Sequence, residues 1–230
     1  MTGSRWCGPL LLVALVALVT GCGGPQGEAS GEVDPPPPVP VPSQRSSVGP
    51  APSPVPVVVP VGAGRLAVVP GGGEAVGSGP LRTYEVEVEV GLGVDVGEFA
   101  RAVERTLADP RSWTAGGRRA LQRVERDADV RIALASPQTV DRLCAPLQTN
   151  GRYSCANGDR AVLNTVRWLE GADAYAGRLA DYRHYLVNHE VGHVLGFGHG
   201  DCPAVGEVAP VMLQQTIGLQ GCLPGPWPYP

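Results

Sequence analysis

The stretch NHEVGHVLGFGHGDC, residues 188–202, holds three of the four histidines in the chain. His189 and His193 are four positions apart, so on a helix both imidazoles leave the same face about one turn from each other. Glu190 sits beside the first and reaches the same space. A helix offers only two ligands at this spacing, and Gly196 shows how a third arrives. Glycine at a helix C-terminus adopts the left-handed conformation that turns the chain back, which returns His199 towards the other two. Three neutral imidazoles leave one position of a tetrahedral metal open to water, the arrangement of catalytic rather than structural zinc. The alternative, three histidines packed in a buried helix, fits poorly, because core histidines are usually isolated. His184 falls outside the pattern and reads as a surface or supporting residue, not a ligand.

The fold is read outward from this helix, which the pattern places from Ala174 to Leu195. Upstream, RLAVV (65–69) and TYEVEVEVGL (83–92) flank glycine-rich sequence and read as a hairpin. The second run alternates, with Val86, Val88 and Val90 on one face. Glu85, Glu87 and Glu89 on the other read as a solvated strand face rather than a cation site. Asp95 followed by Glu98 is an N-cap with a capping-box partner. Phe99, Val103 and Leu107 then give a helix one apolar stripe, ended by Asp109-Pro110. Leu121–Arg126 and Val130–Ala135 read as strands. Arg152–Cys155 and Ala161–Val166 flank Asn157-Gly158-Asp159, a hairpin turn signal. Strands, a helix, more strands, a long helix and an irregular tail indicate an α+β fold with a mixed sheet.

The full string His189-Glu190-x-x-His193-x-x-Gly196-x-x-His199 resembles the motif of the metzincin clan of zinc endopeptidases. From Gly64 onward the chain is also similar to a family of exported actinobacterial metzincin-like lipoproteins carrying NHEVGH and PVM-QQ elements. The clan resemblance implies a twisted mixed β-sheet, an N-terminal helix, a long active-site helix and an irregular C-terminal region with a methionine turn under the metal. Met212, the sole methionine besides the initiator, lies where that turn requires one. The resemblance implies one zinc ion on His189, His193 and His199, with Glu190 as general base and then acid for a zinc-activated water. It also implies an extended peptide or protein substrate along an edge strand around Arg152–Cys155. Some metzincins carry a tyrosine two residues past the methionine; here Gln214 takes that position, so the oxyanion partner besides zinc is unassigned. Two other readings stay open: a non-catalytic cell-envelope binding or scaffold protein on the same frame, and a zinc hydrolase of a non-protein wall amide.

The remainder of the chain concerns delivery. Arg5 and the apolar run Leu10–Val19 form an export signal, since ten apolar residues are too few for a membrane-spanning helix of about 20. Val19-Thr20-Gly21-Cys22 resembles a bacterial lipobox, which makes Cys22 the lipidated mature N-terminus, with ordinary cleavage nearby as the alternative. Residues 23–63 are proline-rich and read as a disordered spacer, reaching on the order of 100 Å at about 3.1 Å per residue where extended. Residues 64–230 form the catalytic domain. We therefore expect a cell-membrane lipoprotein facing outside the cytoplasm, or a secreted protein if Cys22 is incidental. Cys144, Cys155, Cys202 and Cys222 remain, and in an exported domain we expect the local pairs Cys144–Cys155 and Cys202–Cys222. Zinc thiolates would require closer cysteine pairs than the chain has. The net charge of −4 excludes the concentrated positive patch of a nucleic-acid binder. We expect a monomer that meets the membrane only through its N-terminal lipid.

Overall fold

Strand β3, Leu81–Glu89, is the centre of a seven-stranded sheet in a computed structural model that describes residues 57–230. Cys22, the apolar run before it and the proline-rich sequence up to residue 56 lie outside the described residues. The other strands are β1 (Leu66–Val68), β2 (Val76–Gly77), β4 (Ala120–Arg123), β5 (Val130–Ala135), β6 (Cys155–Asn157) and β7 (Arg160–Asn164). The order is β2-β4-β3-β5-β7-β6, with β1 added to the far end of β3. Strands β4, β3, β5 and β7 run parallel, whereas β1, β2 and β6 pair antiparallel. Right-handed strand twist makes this a twisted mixed sheet, and with four α-helices among the described residues the fold is α+β.

Helix α1 (Val96–Ala108) starts at Asp95, whose side chain accepts from the Glu98 N–H. The Glu98 carboxylate does not close the box; it turns to Arg101 and Arg105. Phe99, Val103 and Leu107 are each at most 2% exposed, and burying such side chains contributes about 1.5–3 kcal/mol apiece. Helix α4 (Leu179–Val194) packs beside α1 on the same sheet face, against Val86, Ile132, Leu134 and Leu163. Its residues Tyr185 to Gly192 are buried without a break, because the sheet covers one side of the helix and the C-terminal segment another.

The opposite sheet face differs from the sequence expectation. Glu85, Glu87 and Glu89 are 7%, 7% and 1% exposed, not solvated. Alternation records two faces of a strand but not which of them is wet, and here both are covered. Glu87 pairs with Arg160, while Glu89 accepts from the N–H groups of Ser136 and Gly64 and from the Thr139 hydroxyl. The partners of Glu89 come from the cap and first turn of helix α2 (Pro137–Cys144) and from the segment before β1, and Arg160 comes from β7. No apolar period announced α2, although Ser136 caps it and Pro137 occupies its first turn. Residues 57–63, read from composition as the end of the spacer, also lie on this face. Pro60 O accepts from Gln138 N, Gly62 N donates to Ser136 Oγ, and Ala63 N donates to Val90 O.

Four boundaries move. Residues 152–154 precede β6, and Thr165–Val166 begin helix α3 (Thr165–Glu170), capped by Asn164. Helix α4 starts at Leu179 rather than Ala174, after a 3₁₀ turn at Asp173–Tyr175. Strand β4 ends at Arg123, short of Arg126. The hairpins at β1–β3 and β6–β7 form as read, the first with β2 inserted.

Candidate metal centre

The end of α4 builds the site. Gly196 has φ of 93° and its N–H donates to His193 O, while Phe197 N–H donates to Gly192 O. These are the two bonds of a Schellman stop, which needs the left-handed residue that glycine supplies without a Cβ penalty. The chain reverses there, and His199 comes back to the helix. Nε2 of His193 lies 3.2 Å from Nε2 of His189 and 3.1 Å from Nε2 of His199. One ligand atom from each of the three lies within 4.8 Å of the others.

The outer ring nitrogens decide what those contacts mean. His189 Nδ1 is 2.9 Å from Val211 O, and His193 Nδ1 is 2.9 Å from Phe197 O. A carbonyl can only accept, so both Nδ1 atoms carry a proton, and in a neutral ring the Nε2 atom then presents a lone pair. Two lone pairs at 3.2 Å repel one another and cannot hydrogen-bond. A cation between them removes the conflict, so the three residues fit a metal ion. Burial pushes the His189 ring down to about 3 despite the Val211 carbonyl, and burial followed by the neighbouring His193 lowers His199. Both rings are therefore neutral at pH 7, as ligands must be.

Glu190 is 5% exposed and lines the same cavity of about 520 Å³ as the histidines. No hydrogen-bond partner reaches its carboxylate among the described residues. Burial alone raises that carboxyl to about 8.

Met212 lies beneath the helix end. A Cβ placed on Gly192 would be 2.5 Å from Met212 Sδ and 2.6 Å from Trp113 Cζ2. The thioether and the indole thus pack on bare backbone one residue before His193. Trp113 is itself fixed by an Nε1–H bond to Asn188 O and by stacking on Phe197 at 4.6 Å. Met212 O accepts from Gly200 N, which ties the His199 bend to the methionine turn. Gln214, next but one, lines the cavity. His184 lies elsewhere, bonded to Thr106 and stacked on Trp227.

Several supporting residues went unread in the sequence. Tyr185 lies 5.2 Å ring-to-ring from His189, donates to Leu213 O and accepts from Gln215 N. Gln215 is 0% exposed and bonds Tyr175 Oη, Pro210 O, Gly225 N and Gly225 O. It locks the methionine turn to the C-terminal strap. The tyrosine spacing at 175, 182 and 185 was a visible signal; a lone glutamine was not.

Two disulfides frame the cleft. Cys144–Cys155 joins the end of α2 to β6, and Cys202–Cys222 closes the segment carrying Met212. Paired cysteines indicate an oxidising, extracytoplasmic environment. No helix among the described residues is long and apolar enough to cross a membrane.

A family model described as "Protein of unknown function (DUF3152)" matches residues 53–223, a span that contains all three histidines, Glu190, Met212 and both disulfides. No curated protein and no solved structure matches the chain.

Proposed function

The chain belongs to the DUF3152 family, described as of unknown function, and we propose that it is a zinc metallopeptidase of the metzincin type. We further propose that it is exported and tethered to the outer side of the cell membrane through Cys22. One observation carries the catalytic reading: three imidazole Nε2 atoms converge, those of His189 and His193 with their Nδ1 atoms bonded to backbone carbonyls, and an unpaired buried carboxyl group shares their cavity.

The choice of zinc is supported by the donors and their spacing. An all-imidazole set suits zinc rather than magnesium or calcium, which take oxygen ligands. Two imidazoles on a tetrahedral zinc at 2.0–2.1 Å stand about 3.3 Å apart, close to the 3.1 and 3.2 Å found here. His189, His193 and His199 would hold the ion, which when bound supplies a Lewis acid to a substrate carbonyl and to a water molecule.

The remaining work falls to the chain. Glu190 faces the same cavity, and in its ionised form, which a cation bound beside it would favour, it would take a proton from a water there and return it to the leaving amine. Val211 O and Phe197 O hold the imidazoles in one tautomer and orientation. The last strand in the order, β6, pairs only with β7, so its other edge is open to an extended peptide; Ser154, Cys155 and Ala156 line the cavity there.

The test compares the full chain with Glu190→Ala and His193→Ala for zinc content and peptide-library cleavage. Wild type is expected to bind about one zinc per chain; His193→Ala loses most of it. Glu190→Ala keeps zinc while cleavage falls by about 10²–10⁴, the usual worth of a general base. Full zinc retention in His193→Ala, or unchanged cleavage by Glu190→Ala, would refute the proposal.

A further inference from the structure

Large apolar side chains exposed on a protein surface are usually scattered singly. Two in this molecule line one cavity. Leu147 is 58% exposed and Ile217 is 65% exposed, and both line the cavity that holds the histidines and Glu190. They come from separate, firmly held segments. Leu147 lies on the loop closed by the Cys144–Cys155 disulfide, where its own N–H donates to Cys144 O. Asp141 pins the same loop by accepting from Thr149 Oγ1 and Gly151 N. Ile217 sits on the turn after the methionine, its N–H donating to Gln214 O.

The rest of the lining is as informative for its charge. Apart from Glu190 and the three imidazoles, no lining residue is ionisable except the phenols of Tyr153 and Tyr185; there is no arginine, no aspartate and no second glutamate. A charged substrate side chain entering beside Leu147 and Ile217 would lose hydration and meet no group of opposite charge other than Glu190. An acidic one would also face Glu190 in the same cavity. A basic one could pair only with Glu190, which would occupy the base. An apolar side chain pays none of these penalties and removes apolar surface from water on both sides.

Resting on the peptidase reading, we propose that Leu147 and Ile217 form a clamp that selects the substrate, so that the protein cleaves peptides carrying an uncharged, apolar side chain beside the broken bond. Both residues act on the specificity of the reaction and neither touches the metal ligands' hydrogen bonds.

The experiment profiles a randomised peptide library by mass spectrometry with the zinc-loaded full chain. Wild type is expected to favour leucine, isoleucine, methionine or phenylalanine over aspartate, glutamate, lysine and arginine at one position flanking the cut. The preference in kcat/KM is about tenfold or more, the scale set by a few methylenes in an apolar pocket. Leu147→Asp and Ile217→Asp should each lower kcat/KM for the apolar peptides about tenfold and shift the profile towards lysine and arginine. Zinc content should be unchanged and Ile217→Val should keep the wild-type profile. Leu147→Ser and Ile217→Ser provide a milder pair, and since both positions are more than half exposed, the fold tolerates them. Variants that still cleave with an unmoved profile overturn the clamp and leave the peptidase standing. Zinc-loaded wild type that cleaves no peptide overturns both.

Discussion

Glu89 offers the sharpest test of how the cleft is held. Its carboxylate, 1% exposed, accepts from Ser136 N at 2.7 Å, Gly64 N at 2.7 Å and Thr139 Oγ1 at 2.8 Å. These bonds fix the start of α2, and α2 ends at Cys144, where the loop bearing Leu147 begins. Glu89→Gln keeps the shape but replaces one acceptor oxygen with an NH₂ group. Ser136 N or its counterpart at the other oxygen then meets a donor, and the remaining bonds lose their charge assistance. Hydrogen bonds to a charged group are worth about 1.5–3 kcal/mol each, so one lost and others weakened should cost about 2–4 kcal/mol at pH 7. The pH dependence supplies a second reading. Burial by itself would raise the Glu89 carboxyl, but the bonds from Ser136, Gly64 and Thr139 outweigh it and hold the group below its ordinary 4.5. A depressed folded value means that the stabilisation is whole above about 4.5 and disappears as pH falls through the folded value. Chemical denaturation of oxidised wild type and Glu89→Gln at pH 7 and at successively lower pH therefore has a defined outcome. The gap between them narrows as the wild type is protonated. A gap under about 0.5 kcal/mol at pH 7, the size of an ordinary surface change, or one that stays constant on acidification, would refute the reasoning.

Other outcomes follow from the same contacts. Gly192→Ala forces a methyl group into Met212 and Trp113; overpacking costs about 1–3 kcal/mol against a helix-propensity gain of about 1. Zinc affinity measured against a competing chelator should fall, and adding Met212→Ala should restore part of it. If Gly192→Ala binds zinc as tightly as wild type, the packing of Met212 does not position the site. Replacing Cys202 and Cys222 with serine opens a loop of sequence separation 20 and should lower stability by about 3 kcal/mol in the chain-entropy model; denaturation midpoints would show it. Dialysis against a strong chelator should abolish peptide cleavage, and added zinc should restore it. Cleavage that survives removal of the metal would exclude zinc from the reaction.

What could be read from the chain alone was whatever depends on local spacing. His189 and His193 share a face because a helix repeats every 3.6 residues. Gly196 stops the helix because it tolerates a positive φ, and the nearest cysteines pair because short loops close readily. Met212 stood out by its rarity and its distance from His199. What the tertiary structure alone decided was the second partner of each group. Glu85, Glu87 and Glu89 alternate like a wet strand face, yet all three are buried, Glu89 by the start of α2 and the segment before β1 and Glu87 beside Arg160 of β7. Helix α4 is enclosed on several sides, so no apolar stripe marks it. The carbonyl of Val211 at His189, the bare backbone at Gly192 under Met212 and Trp113, and the lining of one cavity by both Leu147 and Ile217 all join residues distant in sequence. Spacing along a chain fixes which way a side chain points; folding alone determines what it meets, and that contact sets a carboxylate's charge, an imidazole's tautomer and the shape of a cleft.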